Sequence, residues 1–333
     1  MRRALVLLLL LAGCDGGGAG DAGLSRDARV DDDAGSDAGP SDAGPSDAGP
    51  SDAGTLDAGP PPSPLDGASE ARLLRDGFGF LEGPHWVGDA LLFTDIPRST
   101  IHRFTPPDAF DVFRMPSGAA NGLATLPDGR LLAAEHQNRR VSVTEDDGSV
   151  TSFATDFEGG AFHSPNDLAV RSDGTVYFTD PPYGLDGRPR ELDFNGVFRR
   201  APDGSVDAIW RGAVDSRPNG VALSPDESIL YVALTSAGEV LAFDVAADGS
   251  ASGERRFVDG TPNADGMAVD ADGNLFVTTA EGVAVFAPDG ARWGTLSVPE
   301  TPANCAFGGA DGATLFVTAR TGLYAIDLII PGA

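Results

Sequence analysis

Six segments of this chain follow one grammar, and that repetition restricts the fold more than any other feature. "LEGPHWVGDALLFTDI" starts at Leu81, "ANGLATLPDGRLLAAEH" at Ala120, "PNDLAVRSDGTVYFTDP" at Pro165, "PNGVALSPDESILYVAL" at Pro218, "ADGMAVDADGNLFVTTA" at Ala264 and "ANCAFGGADGATLFVTA" at Ala303. Each has an acidic or amide residue, a small residue, alternating apolar positions, a turn rich in Asp and Gly, and a second apolar run. The leading residues Glu82, Asn121, Asn166, Asn219, Asp265 and Asn304 are 39, 45, 53, 46 and 39 positions apart. A period of roughly 40 to 50 with two strands visible per copy is that of β-propeller blades. Weaker strand-like runs, Val141 to Thr144 and Val240 to Val245, lie between copies. The spacing therefore predicts an all-β, six-bladed propeller. Strand-like residues at Arg72 to Gly79 and in "TGLYAIDLII" supply candidates for closing the ring.

In such a ring the innermost strand of every blade starts at the same face. The six leading residues should then converge at the mouth of a central channel, although they are scattered from Glu82 to Asn304. Second strands run back to that face, so Thr94-Asp95, Glu135-His136, Thr179-Asp180, Leu234-Thr235 and Thr278-Thr279 are expected at the rim.

The chain's beginning reads differently. "MRRALVLLLLLAGC" has two arginines, a short apolar run and a small-residue stop, the pattern of a secretory signal. Its end, Leu11-Ala12-Gly13-Cys14, resembles a bacterial lipobox, which makes residues 1–13 a lipoprotein signal peptide and Cys14 the lipidated residue. Residues 14–66, an Asp/Ala/Gly/Pro/Ser repeat with almost nothing apolar to bury, read as a disordered tether. The propeller then occupies 67–333, a monomeric domain held at the bacterial cell envelope. Acyl chains on Cys14 would be its sole membrane contact.

Charge and cysteine exclude several classes. All 23 basic residues are arginine, and the formal charge is −27. The first 66 residues hold 12 Asp against 4 Arg, a net −8, which leaves −19 to the remainder. An acidic surface throughout repels phosphate backbones, so nucleic acid is not an expected partner. Of the two cysteines Cys14 belongs to the leader, so no disulfide framework is available. Cys305 lacks a basic partner in sequence and reads as a small core residue rather than a nucleophile.

The converging set is one of hard oxygens, two of them on the carboxylates Glu82 and Asp265, with Asn219 beside them. Such donors suit Ca²⁺, Mg²⁺ or Mn²⁺, and neither cysteine nor paired-histidine spacing points to structural zinc. Polar residues before glycine are also ordinary turn chemistry, but six at one phase of six repeats argue for a shared site.

The motifs "LEGPHW", "ANGL...EHQNRR", "SPNDL...YFTDPPYG", "ELDFNGVFR", "RPNGVALSPDE", "DGMAVDADGN" and "ANCAFGG" together resemble the family of gluconolactonases, senescence marker protein and luciferin-regenerating enzyme, with the gluconolactonase branch most similar. The resemblance spans nearly all of residues 70 to 330. It implies a lactonase acting on small cyclic esters, sugar lactones first, with one divalent cation at the channel mouth. Ca²⁺ is the expected ion, and Mg²⁺, Mn²⁺ and Zn²⁺ are the alternatives. Carried over by position, it implies that Glu82, Asn219 and Asp265 ligate the cation. Asn166 would be a further ligand or a substrate contact, Asn121 and His136 would contact substrate, and Asp265 would be the catalytic base. One departure is "YVALT", where the resemblance leads to an acidic residue near Ala233 or Leu234.

In the chemistry so implied, the cation polarises the lactone carbonyl and activates water, and Asp265 accepts the proton. His136 reads equally as a proton donor or as a solvated strand end, His85 and His163 are weaker candidates, and Arg139 and Arg140 read as partners of surface carboxylates. The alternative class is a non-catalytic propeller that binds a sugar or a protein at the envelope.

Overall fold

A computed structural model describes residues 63–333; the expected signal peptide, Cys14 and all but the last few residues of the tether lie outside the described residues. The described part belongs to one compact unit, Ala58–Ala333. It contains six four-stranded antiparallel sheets, five of them following the chain outward from the axis, and a small hairpin of Asp156–Phe157 with Gly160–Ala161. The sheets are the six blades predicted from the repeat.

Inner strands run Leu81–Val87, Ala120–Thr125, Leu168–Val170, Pro218–Leu223, Met267–Val269 and Asn304–Gly308. Second strands return over Ala90–Asp95, Leu131–Glu135, Val176–Asp180, Ile229–Leu234, Leu275–Thr279 and Thr314–Ala319. Each pair is joined by a tight turn that the sequence writes as Asp-Gly or a close variant. In "PDGR", for example, Asp128 accepts the Arg130 amide at 3.1 Å while Gly129 takes a φ of 91°, which a side chain would disfavour.

The ring is closed by the N-terminal candidate strand. Arg72–Arg75 pairs antiparallel with Gly322–Asp327 and becomes the outer strand of the sixth blade. Joining the chain's two ends in one sheet leaves no open gap between first and last blades, so ring opening has to break main-chain hydrogen bonds. Residues 63–66, read from composition as tether, form a turn in which the Asp66 amide donates to Ser63 O at 2.9 Å, and Leu65 packs against the sixth-blade core.

Apolar second and third strands fill the space between blades. Phe162, Phe178 and Phe198 meet with ring centroids 5.0–5.4 Å apart between the second and third blades. Tyr231, Met267 and Val277 do the equivalent work between the fourth and fifth.

At the axis the inner strands touch directly. Gly122 N–H donates to Asn166 O at 2.7 Å, Gly220 N–H to Asp265 O at 3.2 Å and Gly266 N–H to Ala303 O at 2.8 Å. These contacts explain the glycine that follows the leading polar residue in four of the repeats. A methyl on Gly83 would lie 2.0 Å from Asn121 O, on Gly220 2.2 Å from Asp265 O, and on Gly266 2.0 Å from the Asn304 side chain. At these positions only glycine leaves room for the neighbouring inner strand.

Candidate active site

All six leading residues meet at the axis. The amide of Asn121 donates to Asn166 Oδ1, and the amide of Asn166 donates to Asn219 Oδ1. Asn219 continues to Thr235 Oγ1 at 2.9 Å, and its amide favours the charged form of the nearby Asp265 carboxylate. Glu82 accepts its own following amide, Gly83 N–H, at 3.2 Å, and the Asn304 side chain favours its charged form. Glu82, Asn121, Asn166, Asn219 and Asn304 are all buried, and Asp265 is half-buried.

Burial of carboxylates side by side governs the electrostatics. Desolvation, then the charges of Asp265 and Asp167, hold the Glu82 carboxyl well above its usual range. Burial and the charge of Asp167 push Asp265 up to about 8, against smaller opposing effects of Asn219 and Arg320. Arginines at the neighbouring strand ends pair with Asp95 and Glu135 instead.

This donor set fits a divalent cation. Crowded carboxylates that resist ionisation by themselves are stabilised as anions by a positive ion placed among them. Among the described residues no three His, Cys, Asp or Glu side chains are grouped to hold a metal, so a cation here would also have to draw on Asn oxygens. The Asn166 and Asn219 oxygens now accept from neighbouring amides.

Asp167 lies beside the axial row, and the repeat pattern marks it. It stands where four other repeats carry glycine (83, 122, 220 and 266), the one large exception to the small-residue rule. Its carboxylate accepts the Val221 amide at 3.2 Å and, lacking solvent, is raised to about 6 by burial. It also lines a cavity of about 440 Å³ within the central channel, with His85, Asn304, Cys305 and Met267.

His136 reaches the site as expected, its Nε2 3.3 Å from Asn166 Oδ1. Burial lowers its pKa to about 4, so near neutrality the ring is uncharged and Nε2–H donates to the amide oxygen. The loop after the third blade's second strand packs on it: a methyl on Gly184 would lie 2.7 Å from His136 Cβ, and Arg188 ties the loop to His136 O at 2.9 Å and Gln137 O at 2.7 Å. The same loop presents Tyr183, whose hydroxyl donates to Thr235 Oγ1 at 3.1 Å and lies 3.4 Å from Asn219 Nδ2. Thr235 was expected at the rim; Tyr183 had no periodic signal because it lies in a loop peculiar to one repeat.

The other rim positions require correction. Asp95, Glu135 and Asp180 turn away from the axis and brace the loops that lead into the inner strands. Asp95 accepts Gly79 N–H at 2.9 Å, and Asp180 accepts His163 N–H at 2.8 Å and Ser164 N–H at 2.7 Å. Glu135 binds Arg114, which also holds Ser117 O. Leu234 pairs with Pro218 as Asp95 does with Leu81, so the departure at "YVALT" removes a loop brace while Thr235 supplies the site contact. Thr278 likewise donates to the backbone at Gly266 and Ala303.

The remaining candidates lie elsewhere in the fold. His85 bonds Thr125 Oγ1 at 2.7 Å on the channel wall, and His163 is buried in a loop against Leu192 O at 3.2 Å. Arg139 pairs with Glu191 at 2.9 Å and Arg140 with Glu135 at 2.8 Å. Cys305 is buried, its thiol pushed well above the usual range by desolvation, and so is not poised as a nucleophile.

Comparison with known proteins gives a consistent answer. Residues 80–321 match the model of the SMP-30/Gluconolactonase/LRE-like region. A gluconolactonase from Zymomonas mobilis is 36% identical, covering 77% of this chain and 80% of its own. The solved structure of a gluconolactonase from Xanthomonas campestris aligns at 32% identity and a TM-score of 0.72, covering 77% of this chain and 89% of that one. A calcium-binding regucalcin from Agrobacterium tumefaciens, 21% identical and covering 79% of this chain and 95% of its own with a TM-score of 0.67, shares the fold.

Proposed function

The chain belongs to the SMP-30/gluconolactonase/LRE-like family, and from that membership and the geometry of the axial site we propose that it is a divalent-cation-dependent lactonase that opens sugar lactones of the gluconolactone type. The carrying observation is that Glu82, Asp265 and the Asn121–Asn166–Asn219 amide row converge on one point from five blades.

Glu82, Asn219 and Asp265 would hold the cation, with Asn166 as a further oxygen donor. When bound, the ion supplies Lewis-acid polarisation of the lactone carbonyl and a more acidic water. Ca²⁺ is the ion we assign, on the hard-oxygen donor set and on the relative described as calcium-binding.

The chain's own residues complete the reaction. Asp265 takes a proton from water as the water oxygen bonds to the lactone carbonyl carbon. When the ring C–O bond breaks, the same carboxyl returns the proton to the departing ring oxygen, leaving the open hydroxy acid, which ionises to solvent. Burial and Asp167 raise the Asp265 pKa, while a cation lowers it. These opposed influences keep it nearer the working pH than either would alone. Neutral His136 donates to Asn166 Oδ1 and fixes that amide's orientation, while Asn121 and Asn166 offer hydrogen bonds to substrate hydroxyls.

The proposal includes lipidation at Cys14 and a tether that places the enzyme in the bacterial cell envelope. Palmitate labelling of the expressed full-length chain, lost in Cys14→Ser, checks that part.

The catalytic test is acid release from glucono-1,5-lactone, corrected for spontaneous opening, after EDTA treatment and after adding back Ca²⁺, Mg²⁺, Mn²⁺ or Zn²⁺. Activity should return with a cation and fall by about a thousandfold in Asp265→Ala. Equal turnover by that variant would remove Asp265 from the chemistry. A protein that binds cation and opens no lactone would favour the binding-scaffold alternative.

A further inference from the structure

We propose that Tyr183 is the substrate-positioning platform of this site, an aromatic face against which a pyranose-type lactone ring rests while its carbonyl meets Asp265. The assignment rests on the lactonase reading and narrows its substrate class to six-membered sugar lactones.

Three observations carry it. Tyr183 remains 43% exposed although its hydroxyl is engaged at the site by Thr235 and Asn219. An aromatic ring pinned at its polar end and open along its body is a fixed apolar surface that loses little entropy on contact. Next, the loop that carries it is strongly held: Arg188 donates to His136 O, Gln137 O and Leu185 O, and Gly184 packs on His136. Finally, the ring stands between the reacting centre and a cation. Its hydroxyl lies 3.4 Å from Asn219 Nδ2 in the axial row, and the Arg217 guanidinium lies over the ring 5.7 Å from its centroid.

A pyranose lactone presents C–H groups on its ring faces and hydroxyls at its edges. The C–H face matches the aromatic surface, while the edge hydroxyls match the Asn121 and Asn166 amides. Apart from the His136 imidazole, whose Nε2 is engaged by Asn166, none of the other five repeats contributes an aromatic side chain to the hydrogen-bonded row at the axis, so recognition of the ring falls to this loop.

The experiment uses the full chain with saturating Ca²⁺ and two variants, Tyr183→Ala and Tyr183→Phe. Three quantities are measured: KM and kcat for glucono-1,5-lactone, the affinity for 1,5-anhydro-D-glucitol, and the affinity for Ca²⁺ alone. The glucitol is a saturated pyranose with no carbonyl to attack. For Tyr183→Ala, KM should rise about tenfold, with a smaller change in kcat, and anhydroglucitol should bind about tenfold more weakly. Ca²⁺ affinity should be unchanged, and Tyr183→Phe, which keeps the ring but drops its tether, should lie between wild type and Tyr183→Ala.

Unchanged KM and anhydroglucitol affinity in Tyr183→Ala overturn the proposal. So does an equal loss in both variants accompanied by weaker Ca²⁺ binding, since that is what a mere prop for Asn219 would give. If the wild type opens no lactone, the lactonase reading falls separately. The anhydroglucitol titration then still decides the platform: selective loss in Tyr183→Ala supports it, and absence of wild-type binding overturns it.

Discussion

Replacing Gly220 by alanine tests the link between blade packing and the site in one step. Gly220 has no left-handed backbone requirement, so the cost of a methyl there is steric. The added carbon would lie 2.2 Å from Asp265 O and 2.9 Å from Gly266 Cα, where ordinary contact begins near 3.4 Å. The inner strands of the fourth and fifth blades must therefore separate by about 1 Å, because the atoms struck are backbone and cannot rotate aside. Overpacking of this kind costs about 3 kcal/mol. For a domain of this size that lowers Tm by roughly 6–12 °C. The same displacement parts Asn219 from Asp265. Metal ligand distances tolerate only about 0.2 Å, so cation affinity should fall by at least about tenfold. Scanning calorimetry with EDTA and with Ca²⁺, beside a calorimetric titration of Ca²⁺, reads both effects. Gly294→Ala is the control, since its methyl would meet only the flexible end of Leu65 at 2.7 Å. A Gly220→Ala protein that melts with wild type and binds Ca²⁺ equally well would refute the reasoning.

The cation-free protein should lose stability as pH rises from 5 to 8. Asp265 and Asp167 have folded-state values of about 8 and about 6, above the ordinary 3.8, so the fold prefers them protonated and each destabilises progressively up to its folded value. Calorimetry should show Tm falling across that window in EDTA, and less steeply in Ca²⁺; a Tm that rises in EDTA would contradict the assignment. Asp180, at about 7 and remote from the cation, should leave a residual slope in both conditions. Asp167→Asn removes a negative charge from the axis without touching the proposed ligands and should weaken Ca²⁺ binding by about tenfold at low ionic strength, measured by titration.

Much of the fold was legible because a propeller writes the same instructions six times. The alternating apolar runs, the Asp-Gly turns and the phase of Glu82, Asn121, Asn166, Asn219, Asp265 and Asn304 are local signals, and repetition separated them from chance. The resemblance then assigned roles among those six, which periodicity alone could not rank. Rim positions were less legible. Strand direction places Asp95, Glu135 and Asp180 at the correct face, but whether their side chains turn inward or brace a loop depends on unpaired amides at Gly79, His163 and Ser164.

By itself the sequence determined the blade count, the order of strands and the identity of the polar residues at the axis, because each follows from spacing within a repeat. Only the tertiary structure decided which terminus closes the ring, that the Asp167 carboxylate is buried beside the axis against the Val221 amide, and that Tyr183 reaches across to the neighbouring blade's Thr235 and Asn219. The physical reason is one of range. Alternation and turn chemistry act over a few residues, whereas a carboxylate's charge, a glycine's clearance and a phenol's partner are set by atoms about fifty positions away that the chain meets when the ring closes.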